Sequence, residues 1–303
     1  MMDHKAYLAS RDPDFRKAIT RKRNAPGLFR IAVHWGSIAV LGWMIHIGVP
    51  LWPVLLLPQG ILLISLFMLE HECTHQTPFA SRWLNEAAGH LVGFVILLPF
   101  RWFRYFHLAH HRWTNIPGKD PELSEPLPRS RSGWALYLSG VQTWKSLAGV
   151  LLRLAADREH PNYLPDKARS GAVVEARIMV LGYVVALALF PTLVWSWLIP
   201  LVLGQPFLRL YLLAEHGDCP KVSNMFANTR TTFTTGLLRW FAWNMPYHTE
   251  HHVWPAVPFH ELPRLHQDLR AHLQVTAPGY AAFNRTYLGR RLRRGGDQGR
   301  GNM

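Results

Sequence analysis

The chain has 303 residues, of which 49% are hydrophobic and 17% charged, with 13 tryptophans. An ordinary soluble domain carries roughly 25% charged residues, so the composition argues against one and points to lipid. The formal charge is +14, from 33 Lys and Arg against 19 Asp and Glu, yet the cations avoid the apolar runs and fill the segments between them, which fits a positive-inside membrane protein rather than a nucleic-acid binder.

Residues 1–30 are polar and basic, with Arg16, Lys17, Arg21, Lys22 and Arg23. They contain no apolar core or small-residue cleavage site of the signal-peptide kind, so the N-terminus is expected in the cytoplasm. Residues 31–69 contain no Asp, Glu, Lys or Arg. One crossing needs about 20 residues, so this run predicts two spans, about 31–48 and 53–70. Pro50, Pro53, Pro58 and Gly60 supply a break around 47–60, and Trp43 and Trp52 suit the far interface. The apolar stretch 90–103 is too short to cross and ends in Arg101 and Arg104. Residues 115–132, rich in Pro, Ser and charge, read as a loop. Residues 133–156 mix Trp134, Leu138, Val141 and Leu152 with Lys145 and Arg153, the pattern of an interfacial helix. A second charge-free run covers 178–208, with Pro191 and Pro200 marking its turn. It predicts spans at about 177–193 and 197–214.

Neither turn carries a Lys or Arg, so the N-terminus, residues 70–176 and the C-terminal third are assigned to the cytoplasm. The expected fold is an all-α integral membrane protein. Four transmembrane helices form two hairpins under a cytoplasmic helical cap, with both termini inside; in a bacterium the membrane would be the inner one. Residues 31–288 form one membrane domain, and 289–303 a basic, disordered tail. Cys73 and Cys219, the only cysteines, are too few for a disulfide framework.

Seventeen histidines carry the functional argument. His71 and His75 lie in HECTH at the inner end of the second span. His107, His110 and His111 form HxxHH, and His248, His251 and His252 form a second HxxHH in YHTEHH. Residues i, i+3 and i+4 share a helix face, so each cluster aims two or three imidazoles at one point. Neutral imidazole binds Fe, Zn, Cu and Ni. Eight histidines exceed what one ion uses, and a two-metal site with open positions is the economical reading. A lone histidine at a membrane surface is ordinarily just polar, but three spaced clusters on one side are not explained that way. HECTH also matches the zinc-protease pattern HExxH, with Glu72 as general base, but that reading leaves both HxxHH clusters without a role. A non-catalytic metal-binding membrane protein, such as a transporter, would carry ionisable groups near the bilayer midplane. The hairpins here lack charge, although His34 and His46 lie in the first.

The three boxes, their order and the strings HECTHQTPFASRWLNEAAGHLVGFVILLPFRWFRYFHLAHH and WNMPYHTEHHVWPAVPFHELPRLH resemble the membrane fatty acid desaturase family over most of residues 30–275. The wider superfamily also contains hydroxylases, ketolases and acetylenases. The resemblance implies a non-haem centre of two irons held almost wholly by histidine, with dioxygen as co-substrate. The product would be a double bond in an acyl chain or similar apolar substrate. It adds His216, in LLAEHGD, to give nine ligands: His71, His75, His107, His110, His111, His216, His248, His251 and His252. It suggests support from Asn244, four residues before His248. Glu72, Glu215 and Glu250 neighbour ligands and are placed to orient imidazoles, and Asp120, in GKDPE, to pair with a ligand or with substrate. Asn228, Thr229, Arg230 and Thr231 would shape the cap, His90 resembles a structural position of the family, and Cys73 faces away from His71. Turnover needs electrons, and the chain shows no CxxC pair, GxGxxG fingerprint or HPGG haem signature. A separate carrier is implied, and the basic inner surface suits an acidic, ferredoxin-like partner or anionic lipid.

Overall fold

A chain in lipid must satisfy its backbone internally, and helices do so without a partner. The computed structural model, which describes residues 3–297, is accordingly helical. Its β structure among the described residues is one two-residue parallel pair, Thr231–Thr232 against Thr276–Ala277. The chain forms two compact units. One holds Arg23–Leu108 and Gly140–Leu208; the other holds Met1–Lys22, Ala109–Ser139 and Arg209–Met303.

The first unit is built on the apolar runs. Four stretches are long and apolar enough to cross a membrane: Pro13–His46, Trp52–Thr74, Asp166–Leu189 and Val194–His216. In the first and third only 17% and 28% of the apolar window is buried. Val40, Ile178, Leu181 and Val184 thus point outward, which is stable against lipid and costly against water. The helices outrun the charge-free segments: the third begins at Asp166, well before the expected 177. Helical hydrogen bonding does not stop where lipid does, so Arg169, Glu175 and Arg177 extend the same element.

The break after the first helix is shorter than expected. It is made by Gly48 and Leu51, both left-handed at φ 65° and 62°, and Pro53 stands in the first helical turn, where no N–H is missed. Pro58 and Gly60 lie inside the helix instead. Gly60 is needed for close approach: a Cβ there would strike the Pro200 carbonyl, and one on Gly204 would strike Gly60. Polar cross-links tie the helices together. The His34 ring meets the Leu62 carbonyl at 2.9 Å, Gln59 Nε2 donates to Ser196 O at 3.0 Å, and Trp197 Nε1 donates to Val95 O at 2.7 Å.

The stretch around residues 90–103 becomes two helices, Arg82–Ile96 and Phe100–Trp113, bent by 101° at a left-handed Leu97. Glu175, from the third apolar helix, caps the second of them. Its carboxylate accepts from Phe100 N at 3.1 Å and Arg101 N at 2.9 Å, and lies 2.5 Å from His90 Nδ1. The expected interfacial helix also divides, into Arg131–Leu138 and Val141–Ala155, at Gly140 with φ 77°.

The second unit packs short helices around Trp134, Leu213, Ala214, Ala277, Phe283 and Tyr287. Arg230 donates to the carbonyls of Ala214 and Gly217, both at 2.7 Å, capping the end of Ile199–His216. The N-terminal segment is tied in by Tyr7, whose hydroxyl donates to Asp268, and by Arg11, 2.8 Å from the same carboxylate. The helix Tyr280–Asp297 continues through much of the segment read as a disordered tail. Arg290 and Arg291 pair with Asp218 at 2.8 and 2.5 Å, and the helix packs through Phe283 and Tyr287. Residues 298–303 of that segment lie outside the described residues.

Candidate metal centre

The first unit holds three of the expected ligands. His71 lies in the helix Phe67–Thr74, His75 caps its C-terminus, and His107 lies on Phe100–Trp113. The Nε2 atoms of His75 and His107 face each other at 2.9 Å, and the rings of His71 and His107 have centroids 4.1 Å apart. His71 and His107 are buried. Glu72 is 4.0 Å from His71 Nδ1, beyond hydrogen-bond reach, and accepts instead from Thr77 Oγ1 at 3.0 Å. Cys73 and Cys219 are both buried and belong to neither histidine group.

The second unit holds the other six. His110 and His111 lie on Phe100–Trp113, His216 ends Ile199–His216, and His248, His251 and His252 occupy the six-residue helix His248–Val253. One ligand atom from each of His110, His216 and His252 lies within 4.8 Å of the others. His111 and His252 stack at 4.1 Å, and the Nε2 atoms of His111 and His251 face each other at 3.1 Å.

Acceptors behind the rings fix the tautomers. His110 Nδ1 is 3.0 Å from both Asp120 oxygens. His216 Nδ1 is 3.2 Å from the Asn228 carbonyl, whereas His248 Nδ1 lies 3.3 Å from Glu215 Oε1 without hydrogen-bond geometry. His252 Nδ1 is 3.1 Å from Thr114 Oγ1. Thr114 has one hydroxyl proton, which goes to the His110 carbonyl at 2.9 Å, so His252 Nδ1 is the donor in that pair. In the rings of His110, His216 and His252 the proton sits on Nδ1, and Nε2 is left as a lone pair. His252 Nε2 is buried without a hydrogen-bond partner, and the Nε2 atoms of His216 and His248 meet at 2.9 Å. The donor set is therefore neutral imidazole, converging and oriented from behind, which fits a borderline transition metal.

The charges agree. Burial and the neighbouring rings push His252 well below its ordinary pKa, keeping it neutral. Burial works against charge on His110, but Glu122 and Asp120 outweigh it and hold this group above its usual value. Burial likewise pushes Asp120 up, yet His110 and the N–H groups of Asn115 and Glu122 hold it below the usual carboxylate range.

Other expected residues stand elsewhere. Asn244 donates through Nδ2 to the Phe259 carbonyl at 2.8 Å. Glu250 accepts from Thr231 Oγ1 at 2.6 Å and pairs with His266. Thr114 and His266 gave no sequence signal beyond a hydroxyl four residues after His110 and a histidine without cluster spacing. Asn228 was legible only as part of a cap; its side chain donates to the carbonyls of Thr114 at 3.0 Å and Val222 at 2.8 Å, and so holds the segment behind His216.

The fatty acid desaturase family model matches residues 47–284. The chain is 24% identical to the sn-1 oleoyl-lipid 12-desaturase of Picosynechococcus over 262 residues, 78% of this chain and 72% of that one. It is also 24% identical to the sn-1 acyl-lipid omega-3 desaturase (ferredoxin) of Nostoc, over 69% of this chain and 62% of that one. A sphingolipid delta(4)-desaturase/C4-monooxygenase of Mus musculus is 28% identical over 66% of this chain and 59% of its own.

Proposed function

Because the chain belongs to the fatty acid desaturase family and is an oxidoreductase of the desaturase type, we propose that it uses two histidine-held irons and dioxygen to introduce a double bond into a lipid acyl chain. The nine ligands are His71, His75, His107, His110, His111, His216, His248, His251 and His252. The observation that carries the reading is the set of three Nδ1 donors backed by Asp120, Asn228 and Thr114, which leaves the Nε2 lone pairs of His110, His216 and His252 for metal. With dioxygen, the irons would supply an oxidation in which two C–H hydrogens, two external electrons and two protons reduce one dioxygen to two waters.

The protein residues bind and orient. Asp120 raises the basicity of the ring in front of it, and Thr114 and Asn228 hold two more rings without adding charge. The outward-facing apolar side chains of the long helices fit a protein that meets its acyl substrate within lipid. The ligands and both termini lie on the cytoplasmic side, under two hairpins; the confinement of Lys and Arg to those regions supports this. Electrons come from a separate carrier. The relative in Nostoc is named with ferredoxin, and a net charge of +14 favours an acidic partner.

The test is purified protein in nanodiscs containing deuterated acyl lipid, supplied with ferredoxin and its reductase. Products lighter by two hydrogens, about two irons per chain and loss of both in the His110→Ala/His251→Ala variant are expected. A product that gains oxygen from dioxygen would refute desaturation. One tightly held zinc that survives the variant would refute the di-iron reading.

A further inference from the structure

Glu250 stands among three proposed ligands but faces away from them. On an α-helix a residue two positions on lies about 200° around the axis, whereas i, i+3 and i+4 cluster. His248, His251 and His252 therefore share one side of the helix His248–Val253, and Glu250 takes the other. There its carboxylate is fully buried and clamped from two elements. Thr231, on the short strand, donates to Oε2 at 2.6 Å, and His266, on Leu262–Leu269, donates through Nδ1 to Oε1. The His266 ring is itself held, stacked on Tyr247 at 4.7 Å with Phe233 at 5.9 Å. Arg239 in turn fixes the Tyr247 hydroxyl at 2.9 Å.

The helix needs such a clamp. It has six residues and no side-chain hydrogen bond at its N-cap, and a helix of that length is not stable by itself. Its rotation sets where three imidazoles point, so a small turn misdirects all of them together.

We propose that His266 is a positioning residue for the metal centre: through Glu250 it locks the rotation of the helix His248–Val253 and so aims His248, His251 and His252. Thr231 forms the second arm of the same clamp. The inference rests on the reading of those three histidines as ligands. Loss of groups that orient metal ligands costs about 10- to 100-fold in metal affinity, and the clamp acts on three rings at once.

The experiment uses the full chain in nanodiscs, loaded with Co(II) as an optical probe. It records the visible spectrum, the rate of metal loss to a chelator and the melting temperature of the metal-free protein. His266→Asn places an amide N–H where Nδ1 stands and is expected to keep the wild-type spectrum and rate. His266→Leu fills the space without a donor and is expected to lose metal roughly 10- to 100-fold faster, with an altered spectrum, while its metal-free melting temperature stays near that of the Asn variant. If the Leu variant does not fold, Thr231→Val removes the other arm and is expected to accelerate metal loss severalfold. Equal rates in wild type and His266→Leu, or equal impairment by Asn and Leu, would overturn the clamp and leave the di-iron reading standing. Failure of the wild type to bind metal would overturn the ligand assignment and the clamp with it.

Discussion

Replacing Glu175 by Gln probes how the helix bearing His107 is anchored in the apolar unit. The carboxylate is buried and accepts from two backbone N–H groups, with the His90 ring beside it. Gln keeps the volume, but its one oxygen meets either the Oε1 donors, Phe100 N and His90, or the Oε2 donor, Arg101 N. Its amide then faces the other backbone N–H, donor against donor. Hydrogen bonds to a charged group are worth about 1.5–3 kcal/mol each. Losing one backbone hydrogen bond outright projects to roughly 1.5–3 kcal/mol. With 1 kcal/mol moving a melting temperature by about 2–4 °C, Glu175→Gln is expected to lower it by about 3–12 °C. Glu175→Ala, which leaves every donor unmet, should lower it further. The assay is thermal unfolding in detergent, followed by tryptophan fluorescence and accompanied by metal retention, because the capped helix carries His107. A Gln variant that melts within about 2 °C of wild type, beside a strongly destabilised Ala variant, would refute the reasoning: the carboxyl would then be acting as one neutral acceptor.

Two further outcomes follow from the geometry. Thr114→Val preserves shape but removes the acceptor that fixes His252; metal affinity should fall about tenfold or more with little change in helix content, measured by competition with a chelator. Burial pushes the Cys219 thiol up to about 11, so at pH 8 its thiolate is about a hundredfold scarcer than that of an ordinary thiol. Alkylation in the folded protein should be slower by at least that factor and accelerate on denaturation, read by mass spectrometry. The sign of the linked stability follows: above about pH 8.5 the unfolded chain releases this proton and the folded chain keeps it, so stability falls as pH rises toward 11.

The sequence is informative where the signal is local. The absence of charge between 31 and 69 marks two apolar helices because lipid tolerates little else. The i, i+3, i+4 spacing marks histidines that converge because one helix face is set by one short string. The rest depends on contacts that no window contains. Thr114 and His252 are 138 residues apart, and Glu175 lies 75 residues from the Phe100 N–H that it caps. Pro58 reads as a break by composition, yet it sits within a helix, where neighbouring helices offset the lost hydrogen bond. Glu72 and Glu250 look like orienting groups from adjacency alone. Adjacency on a helix turns Glu250 to the opposite side, while Asp120 reaches His110 because a loop folds back. The basic terminal segment reads as disordered by composition, but Asp218, far away in sequence, supplies the anions that hold it as helix.

The partners behind the rings are of two kinds, and the difference has a chemical consequence. Nine imidazoles would bring two metal ions no compensating charge, and an uncompensated cation in a buried site is expensive. The compensation stands one ring further out. Asp120 lies behind His110, while neutral groups, Thr114 and the Asn228 carbonyl, lie behind His252 and His216. A carboxylate behind a ring pulls its Nδ1 proton and makes Nε2 a better donor than a hydroxyl or carbonyl does. On the proposed ligand set, His110 would therefore be a more basic donor than His216 or His252. A carboxylate behind a ring, rather than on the metal, separates charge balance from coordination: Asp120 would tune the field without occupying a coordination position.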